Sequence, residues 1–247
     1  DDRKSVEEMK MWLLKQKQTQ DWDNDRATIE AVYALLGRGE DLLASSELVN
    51  ITVGSESIGK EDMGSVEAGT GYFQTAWEAS EISPERGRVI VEKTDEGIAW
   101  GAMYWQYFED LDKITQHETG LSVQKEIFVE TDSEKGRVIA QLNDGDLLQL
   151  GDKLMVRIEI RVDRDMEFVH LRDMRASAFE PTNVLSGYQY QNGLGYYQTT
   201  KDASTDFFFD YLRKGTYVFE YPLIASQAGD FSNGITTLQC MYAPEFV

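Results

Sequence analysis

From residue 153 to residue 163, Leu154, Val156, Ile158, Ile160 and Val162 alternate with Met155, Arg157, Glu159, Arg161 and Asp163. A period of two sends successive side chains to opposite faces, so the stretch predicts an antiparallel strand that buries one apolar face. The same period returns near the C-terminus, where Tyr217, Phe219 and Tyr221 alternate with Val218, Glu220 and Pro222. Across residues 205–247 the apolar runs are separated by Arg213-Lys214-Gly215 and by Gln227-Ala228-Gly229-Asp230, each with the glycine that a tight reversal needs. Runs at 122–130, at Val169 and Leu171, and at 196–200 and 207–212 bring the count to seven or more strands. Their spacing predicts an immunoglobulin-like antiparallel sandwich over residues 111–247.

Upstream the period changes. Ser5 and Glu8 have the spacing of a capping box, and Val6, Met9 and Leu13 follow at helical intervals beside Trp12. Ile29, Val32 and Leu36 form a second stripe, with Gly37 and Gly39 placed to stop it. Residues 1–43 therefore read as a helical hairpin. Two helices of this length cannot bury their own apolar faces, so the face centred on Met9, Leu13, Ile29 and Leu36 is expected to lie uncovered within the chain. Residues 44–110 read as a small β unit, with strands at 48–53, 71–79, 88–92 and 98–108 and turns at Ser83-Pro84-Glu85 and Asp95-Glu96-Gly97. Residues 109–118 are polar and read as a linker. The fold class is mainly β: a helical hairpin, a small β unit, then the sandwich.

Charge narrows the partners. The 247 residues carry 24 Lys plus Arg against 44 Asp plus Glu, a net charge of -20, which repels phosphate backbones and argues against nucleic acid. With 41% hydrophobic and 11% aromatic residues the chain is too apolar for a disordered acidic tail, so the charge reads as a solvated surface on packed domains. The one cysteine, Cys240, allows no internal disulfide and sits in an apolar run, as a buried structural thiol does. No apolar run reaches the length of a membrane span, and no charged-then-apolar leader opens the sequence. It begins within a helix pattern, as a piece of a longer protein is expected to.

Candidate chemistry is sparse. Asp21-Trp22-Asp23-Asn24-Asp25 opens like a calcium loop, but Arg26 stands where that loop turns on glycine and Val32 where its bidentate glutamate belongs. Helix capping by Asp23 or Asn24 accounts for the same residues. Asn143-Asp144-Gly145-Asp146 reads as a turn. His117 and His170 have no zinc spacing, and no nucleophile elbow accompanies them. Gly69-Thr70-Gly71 and Gly193-Leu194-Gly195 lack the third glycine and following helix of a dinucleotide loop. No catalytic residue, metal or cofactor is expected. The distinctive stretch is residues 186–197, where Tyr188, Tyr190, Tyr196 and Tyr197 stand among glycines and amides. It has the composition of a recognition loop, and equally of a hairpin whose tyrosines cover the sandwich edge.

Several of these segments together resemble the end of bacterial alpha-2-macroglobulin-like proteins. The resemblance rests on the aromatic strand ending in Tyr221, on Ala225 and Gly229-Asp230-Phe231, and on the terminal Cys240-Met241-Tyr242-Ala243-Pro244-Glu245-Phe246. Asp173 followed by Phe179-Glu180-Pro181 is similar to the segment after the long strand of that closing domain. Trp22-Asp23 and the helix from Ala27 to Leu36 are similar to the last helices of the family's toroidal thioester domain. The resemblance implies that residues 1–43 close a helical toroid, that 44–110 are the returning half of a CUB-like unit, and that 111–247 are a macroglobulin-like sandwich. It implies further a non-catalytic piece of a peptidase trap in the bacterial periplasm or cell envelope, lipid-anchored in a part of the protein upstream. The partners would be the upstream domains and, through the whole protein, target peptidases. The four tyrosines would face those domains, where in this family a tyrosine can shield the thioester. The thioester signature does not occur here, since Cys240 is followed by Met241-Tyr242-Ala243. Two readings from other classes stand beside this one. An extracellular adhesion or glycan-binding sandwich is set against by the partnerless helices, and a carboxylate-based hydrolase would need a concave site with convergent acids.

Overall fold

The structure, a computed structural model, describes residues 2–37, 49–58, 72, 74–94, 99, 101–110, 113–116, 119–133, 136–243 and 246–247. They form two compact units, one of residues 1–13 and 23–103, the other of residues 14–22 and 104–247.

In the first unit, helix α1 (Asp2–Thr19) begins and helix α2 (Asp25–Gly37) follows. Asn24 caps α2, its side-chain oxygen accepting from the Ala27 amide at 3.0 Å, so the acidic opening serves a helix N-terminus. Of the stripe expected to be uncovered, Ile29 is 67% exposed and Met9 and Leu36 are also exposed, as are the neighbouring Val32 and Tyr33, whereas Leu13 is half-buried. Strands β1 (Asn50–Val53), β2 (Glu56–Ile58) and β3 (Val89–Glu92) form a three-stranded sheet in the order β2-β1-β3. Val53 and Ile58 are its buried centre, with Ile51, Trp77 and Val89 packed around them. Among the described residues of 71–79 and 98–108 there is no strand, and Met103, Tyr104, Trp105, Tyr107 and Phe108 are all exposed. Aromatic β-propensity without a ladder partner does not make a strand. The Asp95-Glu96-Gly97 turn and His117 lie outside the described residues.

The second unit is an antiparallel sandwich. One sheet, in the order β5-β4-β6-β12-β8, contains β4 (Leu121–Ser133), β5 (Gly136–Gln141), β6 (Lys153–Val162), β8 (Phe179–Pro181) and β12 (Gly215–Ala225). The other, in the order β13-β7-β11-β10-β9, contains β7 (Met166–Met174), β9 (Gly187–Gln191), β10 (Leu194–Thr200), β11 (Ser204–Leu212) and β13 (Thr236–Cys240). Strand β6 pairs with β4 on one side and β12 on the other, and its Leu154, Val156, Ile158 and Ile160 are fully buried, as the alternation predicts. Across the interior Phe207 and Phe219 meet with ring centroids 4.9 Å apart, and Tyr196 lies 5.1 Å from Phe219. Three donors converge on the buried carboxylate of Asp173. Lys125 on β4 donates at 2.7 Å and Thr236 on β13 at 2.6 Å, both to Oδ1, and the hydroxyl of Tyr221 on β12 donates to Oδ2. This knot ties the two sheets together.

Candidate functional site

The stretch from 186 to 197 is a β-hairpin, not an irregular loop. Asn192 and Gly193 form its two-residue turn with φ of 49° and 83°, the left-handed pair that matches strand twist. A turn of this kind fixes the faces of the strands that it joins. Tyr196 points inward and is 2% exposed, packed among Phe207, Phe209 and Phe219, so it is a core side chain and leaves the set of surface candidates. Tyr188 and Tyr190 point outward and are 77% and 75% exposed. Tyr197, half-buried, is the cross-strand partner of Tyr188, their rings edge-to-face at 5.1 Å. The composition that drew attention to this stretch therefore divides by strand parity between core and surface.

Registers across the second sheet place Tyr188, Tyr197, Phe208, His170 and Gln239 in one row on its outer face. His170 lies flat on Phe208, with centroids 4.6 Å apart and planes at 9°. In the next row Asp206, fully buried, meets His170 Nε2 at 2.7 Å, Arg172 Nε at 2.8 Å and Lys201 Nζ at 3.1 Å. Burial alone would raise this carboxyl, but hydrogen bonds from Arg172, Lys201 and His170 outweigh it and hold the pKa at about 2. Two cations, the His170 ring and the Ser204 hydroxyl, which donates to Oδ2 at 3.3 Å, occupy the carboxylate oxygens and leave no lone pair for acid–base work. Among the described residues no group of three His, Cys, Asp or Glu side chains could hold a metal ion. Cys240 is buried and directs its thiol to the Glu167 carbonyl at 3.3 Å. Asn143 and Asp146 close a turn on each other, the Asn143 amide donating to the Asp146 carboxylate at 2.8 Å.

A second exposed patch escaped sequence reasoning. Phe168 adopts φ of 53°, a left-handed conformation costly for a bulky residue, and its carbonyl accepts from the Met241 amide at 2.9 Å. The ring of Phe168 stands edge-on to Tyr242 at 5.2 Å, and Phe168, Met241 and Tyr242 are all exposed. No periodic signal marks this patch, because Phe168 interrupts the alternation of β7.

The sequence model of the Bacterial Alpha-2-macroglobulin MG10 domain matches residues 120–245, just over half of the chain. Among solved structures the chain is similar to Salmonella alpha-2-macroglobulin reacted with methylamine, at 16% identity and a TM-score of 0.40, covering 53% of this chain and 8% of that one. It is also similar to native alpha-2-macroglobulin from Escherichia coli, spanning domain MG7 to the C-terminus, at 12% identity and a TM-score of 0.41, covering 53% of this chain and 22% of that one. The chain thus spans a small part of those proteins. A search of the curated proteins finds no match. By its matched half the chain belongs to the bacterial alpha-2-macroglobulin family, in which residues 120–245 form an MG10 domain.

Proposed function

We propose that the chain acts as the closing part of an alpha-2-macroglobulin-like peptidase trap of the bacterial envelope, contributing structure and interdomain contact and no catalysis of its own. In this reading residues 1–43 end a helical toroid, residues 44–110 are the returning half of a CUB-like unit, and the sandwich leans on upstream domains of the same protein. Target peptidases are met only through the whole trap. The observation that carries the reading is the exposure of Tyr188 and Tyr190 on a regular strand of a well-packed sheet, in a chain of this family. Rings with polar tips suit a surface that is covered in one state and wet in another, as a trap that rearranges on cleavage requires.

The test replaces Tyr188 and Tyr190 by alanine in the longer protein and in this chain alone. The expected result is a less stable longer protein, or one whose compaction after bait cleavage is altered, while this chain melts as before. If the longer protein is unchanged, or if only the isolated sandwich is weakened, the tyrosines are structural cover and the contact reading is lost.

A further inference from the structure

An asparagine side chain is an electrophile that its own backbone can attack, at a rate set by how freely the next main-chain nitrogen reaches its Cγ. A following glycine has no Cβ to block that approach. The chain has six asparagines, and two of them, Asn192 and Asn233, precede glycine. Four of the six are held by the side chain. Asn24 caps α2, and Asn183 accepts from the Leu185 amide at 3.3 Å. Asn143 donates to the Gln141 carbonyl at 3.4 Å and to the Asp146 carboxylate at 3.2 Å. Asn192 donates to the Val218 carbonyl at 3.2 Å, and its turn fixes φ at 49°. Asn50 stands in strand β1 before the branched side chain of Ile51. Asn233 differs from all of these. It is exposed in the irregular connection between β12 and β13, and among the described residues no hydrogen bond holds its side chain or the Gly234 amide.

Glycine is required at position 234 for a separate reason. A Cβ there would overlap Met174 Cβ and stand 2.6 Å from the Met174 main-chain carbonyl carbon, closer than packed atoms approach. Close packing on β7 thus dictates the very residue that leaves Asn233 open to attack. Just beyond it, the Ile235 carbonyl accepts from the Met174 amide at 3.0 Å, and Thr236 donates to the buried Asp173 carboxylate at 2.6 Å. We propose that Asn233 is a site of spontaneous deamidation whose product loosens the start of β13. The Gly234 nitrogen gives its proton to hydroxide and bonds to Asn233 Cγ. The side-chain nitrogen takes a proton from water and leaves as ammonia, which closes a succinimide ring. Water then opens the ring at one of its two carbonyls. Opening at Cγ makes aspartate, whereas opening at the main-chain carbonyl makes isoaspartate, whose backbone runs through the former side chain and is one atom longer. That atom enters where Gly234 has no room against Met174, so the bonds of Ile235 and Thr236 are displaced. The inference is independent of the trap reading, because every group it uses lies within the sandwich.

The experiment incubates the folded chain at mildly acidic and at mildly alkaline pH, then digests it and reads the peptides by mass and by labelling with an isoaspartyl-specific methyltransferase. Amide loss at Asn233 is expected, faster in proportion to hydroxide, while Asn192 keeps its amide. In urea, where both side chains are released, the two are expected to react at comparable rates. Asn233→Gln, which would have to close a larger ring, is expected to abolish the change and to melt as the unmodified chain does. The isoaspartate form, purified by ion exchange, is expected to melt lower, with faster hydrogen exchange at the Met174 amide. Asn233→Asp carries the same added charge on a backbone of normal length, and its melting temperature is expected to match that of the unmodified chain. Retention of the Asn233 amide in the folded chain, loss at Asn192 as fast as at Asn233, or a difference between them that persists in urea overturns the site. An isoaspartate form that melts unchanged, or an Asn233→Asp variant weakened to the same extent, overturns the loosening. The interdomain test reads Tyr188 and Tyr190, so its failure leaves this chemistry unaffected.

Discussion

At the scale of single residues, Asp173 and Asp206, the carboxylates fully buried among the described residues, are held by different partners, and each gives a distinct test. Asp206 has its folded pKa lowered from 3.8 to about 2, so its contribution is fully present above pH 4 and is lost as the pH falls through 2. That contribution is roughly 2 kcal/mol. The stability difference between the native chain and Asp206→Asn, measured by urea unfolding, should therefore be constant from pH 7 to about 5 and shrink toward zero near pH 2. A difference independent of pH would mean that Arg172, Lys201 and His170 do not act through the ionised form. Asp173 sits against Lys125, Tyr221 and Thr236. Lys125→Met removes its only cation among these partners and should cost about 3–5 kcal/mol, whereas Lys125→Met with Asp173→Leu should cost less than the single change. If the double variant is the weaker, the pair is a net source of stability and not merely a neutralised liability.

At the scale of elements, β6 and the β9–β10 hairpin show what a sequence reveals and what it hides. Strand β6 was legible because both its neighbours are strands and one whole face is sealed against the second sheet, which forces strict alternation. Ile158→Ala should accordingly cost about 2–5 kcal/mol in denaturant unfolding, and a loss near zero would contradict the packing. Strand β5 was not legible, since Val138 and Ile139, which face opposite ways, are both exposed and leave no pattern. Strands β2 and β8, of three residues each, are too short to show a period. The tyrosine stretch lies between these cases. Its composition was visible, but the division of Tyr196 from Tyr188 and Tyr190 needed the Asn192-Gly193 turn to set the parity. Nor could the sequence show that Gln191 leaves its own sheet to plug the edge of β12. Gln191→Ala strips that plug and should cost on the order of 1–3 kcal/mol, with faster hydrogen exchange at Glu220 than at Phe219 as its local signature.

At the scale of the whole molecule, the two units bury very different amounts of apolar surface. The sandwich packs Leu154, Val156, Ile158, Ile160, Phe207, Phe209 and Phe219 and more into one continuous core. The three-stranded sheet, among the described residues, buries Val53 and Ile58 with partial cover from Ile51, Trp77 and Val89. Apolar burial is the main favourable term in folding, so the smaller core should define a unit of lower stability that opens first. Ile58→Ala should remove most of what that small centre contributes, while Ile158→Ala should act on the sandwich. Amide exchange under rising denaturant distinguishes the two: in Ile58→Ala the amides of β1 and β3 should lose protection at lower denaturant while those of β6 and β12 keep theirs. If both sets lose protection together in that variant, the chain unfolds as one cooperative body, and the contrast in core size does not set the order of opening.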